Sequence, residues 1–288
     1  MHVGESAPES PPAFPYQFRL GLSLVYGLAR PISVIVSSDP DDGIERQTWH
    51  HVLRVQIHHG VIARIIRWLD SRPFLPSFLR TRLTAWFPGA FLPDTVVLKG
   101  IKPDWDDEFA NEVRMYDRLR PVQGTVVPVF YGVAAGRGED GKEERALVIS
   151  DVGGRQLGGV SYAEHSLDEL RGMVKLALEA IYRLGVSPTD ANLSNCLVVG
   201  DRVMVVDHEQ DEELQEEDLK EWSLEEIVQG MVDSIMERHQ AVHAPKEKMD
   251  VEAARRANEK WRARYGPAAL GMGLGRAQCG GGGVAGGG

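Results

Sequence analysis

Lys99 and a glutamate in the segment that follows it form the first pair of residues whose types could do chemistry. Lys99 ends the aliphatic run 96–98, a pattern typical of a strand, so its stem would be packed and its ammonium held at a fixed point. A lysine held in this way can bind a pair of phosphate groups. Glu108 and Glu112 both lie on the predicted helix after this strand, and either could pair with Lys99. Glu112 lies nearer the middle of the helical pattern and is preferred.

Asp190, Asn195 and Asp207 supply the carboxylates and the amide that a phosphate-binding lysine needs beside it. Asp190 and Asn195 are five residues apart in a predicted loop, which sets an acceptor for a hydroxyl proton near an amide oxygen able to ligate magnesium. Asp207 follows two valines at the end of a predicted strand, where a rigidly held carboxylate can bind the metal that bridges phosphates. The order of these residues after Lys99 and Glu112 indicates phosphoryl transfer.

Hydrophobic periodicity predicts the strands and helices that would position these side chains. The predicted strands cover residues 32–37, 53–57, 95–100, 126–131, 146–150, 197–199 and 203–206. The predicted helices cover residues 61–69, 106–120 and 167–184, and an acidic helical stretch continues to about residue 265. Residues 39–43 and the pair Gly200-Asp201 predict turns. Strands around one helix, followed by a mainly helical half, indicate an α+β fold in two lobes.

The stretch from about Thr95 to Gln210 resembles the protein-kinase-like superfamily, in particular the divergent kinase-like proteins common in fungal genomes. The residues that carry the resemblance are 96–99, 111–112, 127–132, 147–154, 190–195 and 205–207. The resemblance implies a two-lobed protein-kinase-like fold with a small N-terminal β-sheet lobe and a short, mainly helical C-terminal lobe. It also implies ATP and magnesium as cofactors.

The resemblance also implies a role for each matched residue. Lys99 would hold the ATP phosphates and Glu112 would orient Lys99. Residues 147–153 would form the adenine-binding hinge, and the positions expected to bind the nucleotide there are Leu147, Ile149 and Asp151. Asp190 would be the catalytic base, and Asn195 and Asp207 would ligate magnesium.

The chain also departs from protein kinases at several motifs. Pro188 and Thr189 stand where those enzymes carry His-Arg, so a structural brace is lost while the catalytic aspartate is kept. Residues 207–209 read Asp-His-Glu instead of Asp-Phe-Gly, and an acidic residue two places after the metal-binding aspartate is similar to small-molecule kinases related to aminoglycoside phosphotransferases. No glycine-rich loop precedes the lysine, and the turn at residues 39–43 carries three aspartates that would repel a triphosphate.

Composition and the resemblance together predict four parts of the chain. Residues 1–15 are expected to be a disordered arm because they contain four prolines and few apolar residues. Residues 16–151 would form the N-terminal lobe with an inserted amphipathic helix, and residues 152–266 the C-terminal lobe. Residues 267–288 are expected to be a disordered, glycine-rich tail, since they carry too little side-chain area to offset the entropy of ordering the backbone.

Composition also excludes several classes of protein. The 288 residues are 43% hydrophobic and 26% charged, which is typical of a globular protein with a sizeable core, and two cysteines cannot form a disulfide framework. A formal charge of -10 argues against a nucleic-acid partner, because phosphate contacts need clustered lysines and arginines. No apolar run approaches the roughly 20 residues that a transmembrane segment needs. With no secretion signal, the sequence predicts a cytoplasmic or otherwise intracellular protein.

The amphipathic helix predicted over residues 61–69 has two interpretations. Together with Trp68 and the neighbouring arginines it could lie on an anionic membrane surface, although most such helices cover a core. The paired histidines at 50–51 and 58–59 are interpreted as strand residues and not as metal ligands, because successive residues of a strand point to opposite faces.

Two functional hypotheses remain open from the sequence. The first is an ATP- and magnesium-dependent phosphotransferase that transfers the γ-phosphoryl group to a hydroxyl acceptor, either a protein Ser/Thr or a small molecule. The alternative is a pseudokinase, a binding or scaffolding module without turnover, which the missing glycine-rich loop and the altered residues 207–209 favour. The retained Lys99, Glu112, Asp190, Asn195 and Asp207 favour catalysis.

Overall fold

The structure, a computed structural model, describes residues 12–37, 45–72, 76–137, 143–215 and 222–244. Its strands are β1 (Phe14–Leu20), β2 (Ser23–Ser37), β3 (Glu45–His58), β4 (Thr95–Gly100), β5 (Phe130–Arg137), β6 (Glu143–Ser150), β7 (Arg155–Gln156), β8 (Val186–Ser187), β9 (Cys196–Val199), β10 (Arg202–Val205) and β11 (Glu212–Glu213). Its α-helices are α1 (Val61–Asp70), α2 (Ser77–Trp86), α3 (Asp106–Arg118), α4 (Leu167–Tyr182) and α5 (Leu224–His243). The chain divides into two units, residues 1–242 and 243–288, and the barrel and site described below belong to the first.

Six antiparallel strands close into a barrel in the order β1-β2-β3-β4-β6-β5. Closure is made by β1, which pairs along its whole length with β2 and through Phe18, Arg19 and Leu20 with β5. Because a closed sheet has no unpaired edge, every strand of this barrel has a partner on both sides. The remaining strands form a three-stranded sheet, β10-β9-β7, and a two-stranded sheet, β11-β8.

Strand β2 is long enough to bend around the barrel, and its sequence allows the bend. The pairing of β2 with β3 shifts register at Pro31/Ile32 and again near Ser37, as expected where a bulge curves a strand. Proline cannot donate an amide hydrogen to a regular ladder, but it is tolerated at a bulge, where the ladder is interrupted. Gly27 marks a close approach of the two strands, since a Cβ there would lie 2.4 Å from the carbonyl oxygen of Gln56.

The predicted two-lobed protein-kinase-like fold, with a small N-terminal β-sheet lobe and a short, mainly helical C-terminal lobe, is wrong, because the strands from β1 to β6 form a closed barrel. The reason lies in Phe14–Leu20, for which the sequence interpretation assigned no strand. Tyr16, Phe18 and Leu20 alternate with polar residues, and Phe18 and Leu20 are buried. Their strand follows a cluster of prolines, which masked the alternation. With this strand in place, the edges of β2 and β5 are joined.

The positions of most other predicted elements are confirmed. Strand β4 and the start of α3 fall on the predicted residues, and the turn at Gly200 joins β9 to β10. The predicted strand 126–131 is displaced, since β5 begins at Phe130 and continues to Arg137. The predicted turn at 39–43, the tail and the helical stretch beyond residue 244 lie outside the described residues. The limits of the predicted domains stay a prediction.

Among the described residues, three apolar clusters hold these elements together. The first fills the barrel and the second lies between the outer face of β4 and β6 and helix α3, with Val97, Phe109, Tyr116, Leu147 and Ile149 as members. The third joins the end of α3 to α4, α5 and the β9-β10 hairpin. None of the helices in the described ranges is long and apolar enough to cross a membrane.

Truncating Phe18 tests the closure of the barrel. Phe18 is 1% exposed inside the barrel and belongs to the closing strand, so Phe18→Ala should lower the free energy of unfolding by about 3–5 kcal/mol, as is usual when a buried aromatic ring is removed. Chemical denaturation measures this change. Leu24→Ala, on the exposed face of β2, is the matched control and should change stability by about 0.5 kcal/mol or less. Equal effects of the two variants would contradict a closed barrel with Phe18 inside.

Candidate functional site

Strand β4 presents alternate residues to two different environments. Val96 and Leu98 pack inside the barrel, whereas Lys99 points to the outer face, where helix α3 covers the sheet. Lys99 is 7% exposed, and its register partner on β6 is Leu147. The lysine is therefore held by a packed strand, as its aliphatic neighbours predicted.

Helix α3 brings Glu112 to this lysine. Phe109 and Tyr116 are buried three residues before and four residues after Glu112, so one face of the helix is turned to β4 and β6. The Oε2 atom of Glu112 lies 2.8 Å from the Nζ atom of Lys99, and Glu112 is 1% exposed. Of the two glutamates considered as partners for Lys99, Glu112 is the one that contacts it, and Glu108 lies one turn earlier on the helix.

Asp207 reaches the same ammonium from the other half of the unit. It comes two residues after the end of β10, and its Oδ1 atom lies 2.6 Å from Nζ of Lys99. Asp207 has a φ of 69°, a left-handed conformation that is uncommon for a residue other than glycine. The amide of Val206 donates to the carbonyl oxygen of Asn195 at 2.8 Å, which fixes the chain just before this turn. Backbone strain of this kind persists where the surrounding contacts impose it, and it clusters at functional sites.

Glu209 also belongs to the site, although the sequence predicted no role for it there. Its Oε2 atom lies 3.2 Å from Nζ of Lys99, and its other carboxylate oxygen accepts from Lys102. The side-chain amide of Asn111 donates to the backbone carbonyls of Glu209, at 3.1 Å, and Asp211, at 2.8 Å. Helix α3 therefore holds the segment after Asp207 as well as Lys99 itself.

The charges of the cluster explain the directions of its pKa values. Burial alone would lower the pKa of Lys99, but Glu112, Asp207 and Glu209 together outweigh burial and raise it, so the ammonium stays charged. Burial would raise the pKa of Asp207, and the ammonium of Lys99 outweighs this and lowers it. Burial raises the pKa of Glu112 in spite of its ion pair with Lys99. A fixed cation thus stands among three carboxylates.

Asp190 and Asn195 form a second polar group close to Asp207. The side-chain amide of Asn195 donates to the carbonyl oxygen of Asp190 at 3.0 Å and to its Oδ2 atom at 2.9 Å, while Asn192 donates to Oδ1 at 3.1 Å. Both carboxylate oxygens of Asp190 are therefore held. Burial raises the pKa of Asp190, and the charge of Asp207 raises it further against the effect of these hydrogen bonds.

The three residues expected to bind the nucleotide at the hinge lie in different surroundings. Leu147 is completely buried and Ile149 is 8% exposed, and both belong to the apolar cluster under α3. Asp151 follows the end of β6, and its carboxylate pairs with Arg54 of β3, the closest approach being 2.8 Å. Of the three residues, only Asp151 offers a polar side chain.

A buried pair braces the segment that carries Asp207 and Glu209. The Nδ1 atom of His208 lies 2.7 Å from the Oδ2 atom of Asp211, and both side chains are excluded from solvent. The amide of His208 donates to Oε1 of Glu112 at 3.3 Å, and its ring packs edge-on against Tyr116. Burial would lower the pKa of His208, but the charge of Asp211 outweighs burial and raises it. His208 thus binds the segment by polar contacts to Asp211 and Glu112.

The donor set of the site suits a magnesium ion. Glu112, Asp207 and Glu209 each offer a carboxylate oxygen, and these atoms lie within 4.8 Å of one another. Oxygen donors of this kind are what magnesium prefers. Asn195 commits its amide nitrogen to Asp190, so its Oδ1 atom is the one that could face a metal. Glu112 also accepts from the amide of His208 and is almost completely buried, whereas Asp207 and Glu209 are partly exposed, so Asp207, Glu209 and Asn195 are the better candidates.

Comparisons with known proteins add no family. No protein-family model matches the chain, and no curated protein matches it.

Replacing Lys99 by methionine tests whether the cluster depends on this one cation. Lys99→Met leaves buried carboxylates without their partner and should lower the free energy of unfolding by about 3–5 kcal/mol near neutral pH. Without the ammonium, Glu112 and Asp207 would have pKa values above those of the unfolded chain, so protonation would stabilise the folded variant. The stability deficit relative to the wild type should therefore shrink between about pH 7.5 and about pH 5, measured by urea denaturation.

Lys175→Met is the matched control, because Lys175 is partly exposed on α4 and its nearest carboxylate oxygens are 3.9 Å away. Its effect should be about 1 kcal/mol or less at either pH. A Lys99→Met deficit that stays constant across this pH range would contradict the assignment of the three carboxylates as its partners.

Proposed function

We propose that this chain is an ATP- and magnesium-dependent phosphotransferase that moves the γ-phosphoryl group of ATP to a hydroxyl acceptor. The observation that carries the proposal is the convergence of Lys99, Glu112 and Asp207 on one point, with the Asp190-Asn195 pair beside it. Lys99 and Asp207 are 108 residues apart in sequence. A structural ion pair needs only two of these groups, whereas phosphoryl transfer needs a cation for the phosphates, carboxylates for a metal and a base.

Lys99 suits the role of phosphate ligand because its ammonium is fixed and charged. Its pKa is raised, so it stays protonated at any physiological pH. The Oε2 atom of Glu112 lies 2.8 Å from Nζ and accepts one of its three hydrogens, which limits the directions in which the ammonium can point. On binding ATP, the contacts with Asp207 and Glu209 would be exchanged for contacts with phosphate oxygens.

Asp207 and Glu209 would hold magnesium, with the Oδ1 atom of Asn195 as a further ligand. The ion would supply positive charge to the β- and γ-phosphate oxygens as negative charge develops on them. Asp207 is suited to this role because its lowered pKa keeps it ionised. Its position between β10 and the braced segment 208–211 also keeps it in place.

Asp190 suits the role of catalytic base. As the acceptor oxygen attacks the γ-phosphorus, Asp190 takes the hydroxyl proton, and the bond between the γ-phosphorus and the bridging oxygen breaks to release ADP. Hydrogen bonds from Asn192 and Asn195 orient the carboxylate. Its raised pKa makes it a better proton acceptor than an ordinary aspartate, since a base works best when its pKa approaches the working pH.

The acceptor class stays open between a protein Ser/Thr and a small molecule. Glu209 favours the small molecule, because of the similarity of residues 207–209 to kinases related to aminoglycoside phosphotransferases. The proposal includes an intracellular location, where ATP and magnesium are both supplied, and no nucleic-acid partner.

A second candidate function is a binding module without turnover, the pseudokinase alternative. The observation in its favour is that Lys99 contacts three carboxylates at 2.6, 2.8 and 3.2 Å. An ammonium has three hydrogens, so these contacts satisfy it completely and must be broken before it can bind phosphate. A protein that uses this cluster only to hold its fold would keep it closed.

The Asp190→Ala variant separates catalysis from binding. If Asp190 is the base, the variant should lose at least about 100-fold in phosphate transfer while it keeps magnesium-ATP affinity, because general-base catalysis typically contributes that much. The measurement is transfer of the labelled γ-phosphoryl group of ATP to water, which gives free phosphate, or to each of a panel of hydroxyl compounds, which gives a labelled product and ADP. Asp201→Ala, in the exposed β9-β10 turn, should behave as the wild type. Equal rates in wild type and the Asp190→Ala variant would exclude the proposed base.

Thermal unfolding with and without magnesium-ATP tests the nucleotide site. At about 100 times its dissociation constant, the ligand should stabilise the fold by about 2.7 kcal/mol, and omitting magnesium should remove most of this shift. Asp207→Asn should also remove the magnesium-dependent part. Asp233→Asn, on the partly exposed face of α5, should leave it unchanged. Absence of any shift in the wild type would favour the pseudokinase alternative.

A further inference from the structure

Helix α1 exposes its apolar face. Val61, Ile62, Ile65 and Trp68 share one side of the helix and are between 52% and 72% exposed, while Ile66 is the only residue of α1 that is buried. An amphipathic helix of a globular protein normally turns its apolar stripe to the core. In α1 the stripe points the other way.

Polar contacts hold α1 in this orientation. The guanidinium of Arg67 donates to the carbonyl oxygens of Ala90 and Leu92 and lies 3.0 Å from the Nε2 atom of His59. These contacts anchor the side of α1 opposite Val61 and Ile65. The outward direction of the apolar stripe is therefore a property of the folded unit, because turning the stripe inward would break the contacts of a half-buried arginine.

Helix α2 and the end of β1 extend the exposed apolar surface. Phe78 and Trp86 of α2 are exposed, and Leu22, in the β1-β2 turn, is 66% exposed. The amide of Leu22 donates to the carbonyl oxygen of Trp86 at 3.3 Å, so the turn and the end of α2 are adjacent. We call the exposed apolar and basic residues of α1, α2 and this turn the α1–α2 surface.

The α1–α2 surface is basic in a chain that is acidic as a whole. Residues 61–86 contain five arginines and one aspartate, against a formal charge of -10 for the protein. Arg64 and Arg82 are exposed, and the guanidinium of Arg72 lies 3.8 Å from the centre of the Trp68 ring. Helices that lie in the interface of a bilayer typically carry basic residues beside exposed tryptophans and aliphatic residues.

We propose that the α1–α2 surface docks the protein on the face of a membrane that contains anionic lipid. The tryptophans and isoleucines would enter the boundary between headgroups and acyl chains, and the arginines would bind the lipid phosphates and carboxylates. A second copy of this chain fits less well, because a two-fold dimer would bring the same arginine-rich surface against itself. The net negative charge of the rest of the protein would keep the other faces away from the membrane.

Vesicle co-sedimentation of the full chain tests this proposal. Wild-type protein should bind vesicles of phosphatidylcholine with phosphatidylserine, bind at least tenfold more weakly to phosphatidylcholine alone, and lose binding as salt is raised. Ile62→Asp combined with Ile65→Asp should reduce binding at least tenfold. Arg64→Glu combined with Arg82→Glu should do the same for the anionic vesicles. All four side chains are exposed, so the melting temperature should not change.

Leu176→Asp is the matched control, since Leu176 is a 69% exposed leucine on α4, away from the α1–α2 surface. It should bind as the wild type does. Loss of binding in this control, or unchanged binding in both double variants, would overturn the proposal. A wild-type dimer in solution that the Ile62/Ile65 variant dissociates would also overturn it, and would assign the surface to a second copy. Another outcome would be that the wild type binds no vesicles, while an added protease cuts within residues 245–288 only in the Ile62/Ile65 variant. That result would overturn the proposal and would assign the surface to this segment of the chain itself.

Discussion

The contact of one buried ammonium with three carboxylates is the interaction on which the rest of the site depends. Lys99 comes from the barrel, Glu112 from α3, and Asp207 and Glu209 from the segment after β10, so a single cation joins three separate parts of the unit. Removing charges from water costs free energy that the ion pairs do not always recover. The cluster is better understood as a device that fixes geometry than as a source of stability.

The barrel and the site use the two faces of the same strands. Inward residues of β4 and β6 fill the barrel, and outward residues of the same strands meet α3. Because closure leaves no free edge, the strands have little freedom to slide. The outward-facing residues on the same strands are therefore held in fixed positions as well. The site therefore needs no loop of its own to position Lys99, whereas Asp190 and Asp207 depend on hydrogen bonds such as that from Val206 to Asn195.

The sequence was informative where residue type and local pattern coincide, and uninformative where distant segments decide. The fixed position of Lys99 could be predicted, because the aliphatic residues before it identify a strand and a strand holds its lysine in place. The contact of Glu209 with Lys99 could not, because it requires a left-handed conformation at Asp207, and the residue type alone does not specify that conformation. Barrel closure depends on pairing between Leu20 and Ala134, more than a hundred residues apart, which no local pattern reveals.

Periodicity identified α1 as a helix but did not show which face is turned inward. That choice depends on Arg67, which finds two carbonyl oxygens near the short 3-10 helix Pro88–Phe91. A helical pattern in the sequence records only that apolar residues share a side. Whether that side meets a core or the surroundings is decided by the partners available to the other side.

The alternation of side chains along β4 restricts which insertions and deletions this strand can accept. Removing or adding one residue before Lys99 would turn its ammonium into the barrel, among Val55, Ala134 and Val148, and would place an aliphatic side chain opposite Glu112. A two-residue change would restore the facing but move Lys99 along the strand by roughly 7 Å, too far for Glu112 to follow. Among natural variants of this protein, length differences should therefore accumulate in the connections between strands and be absent from residues 95–100.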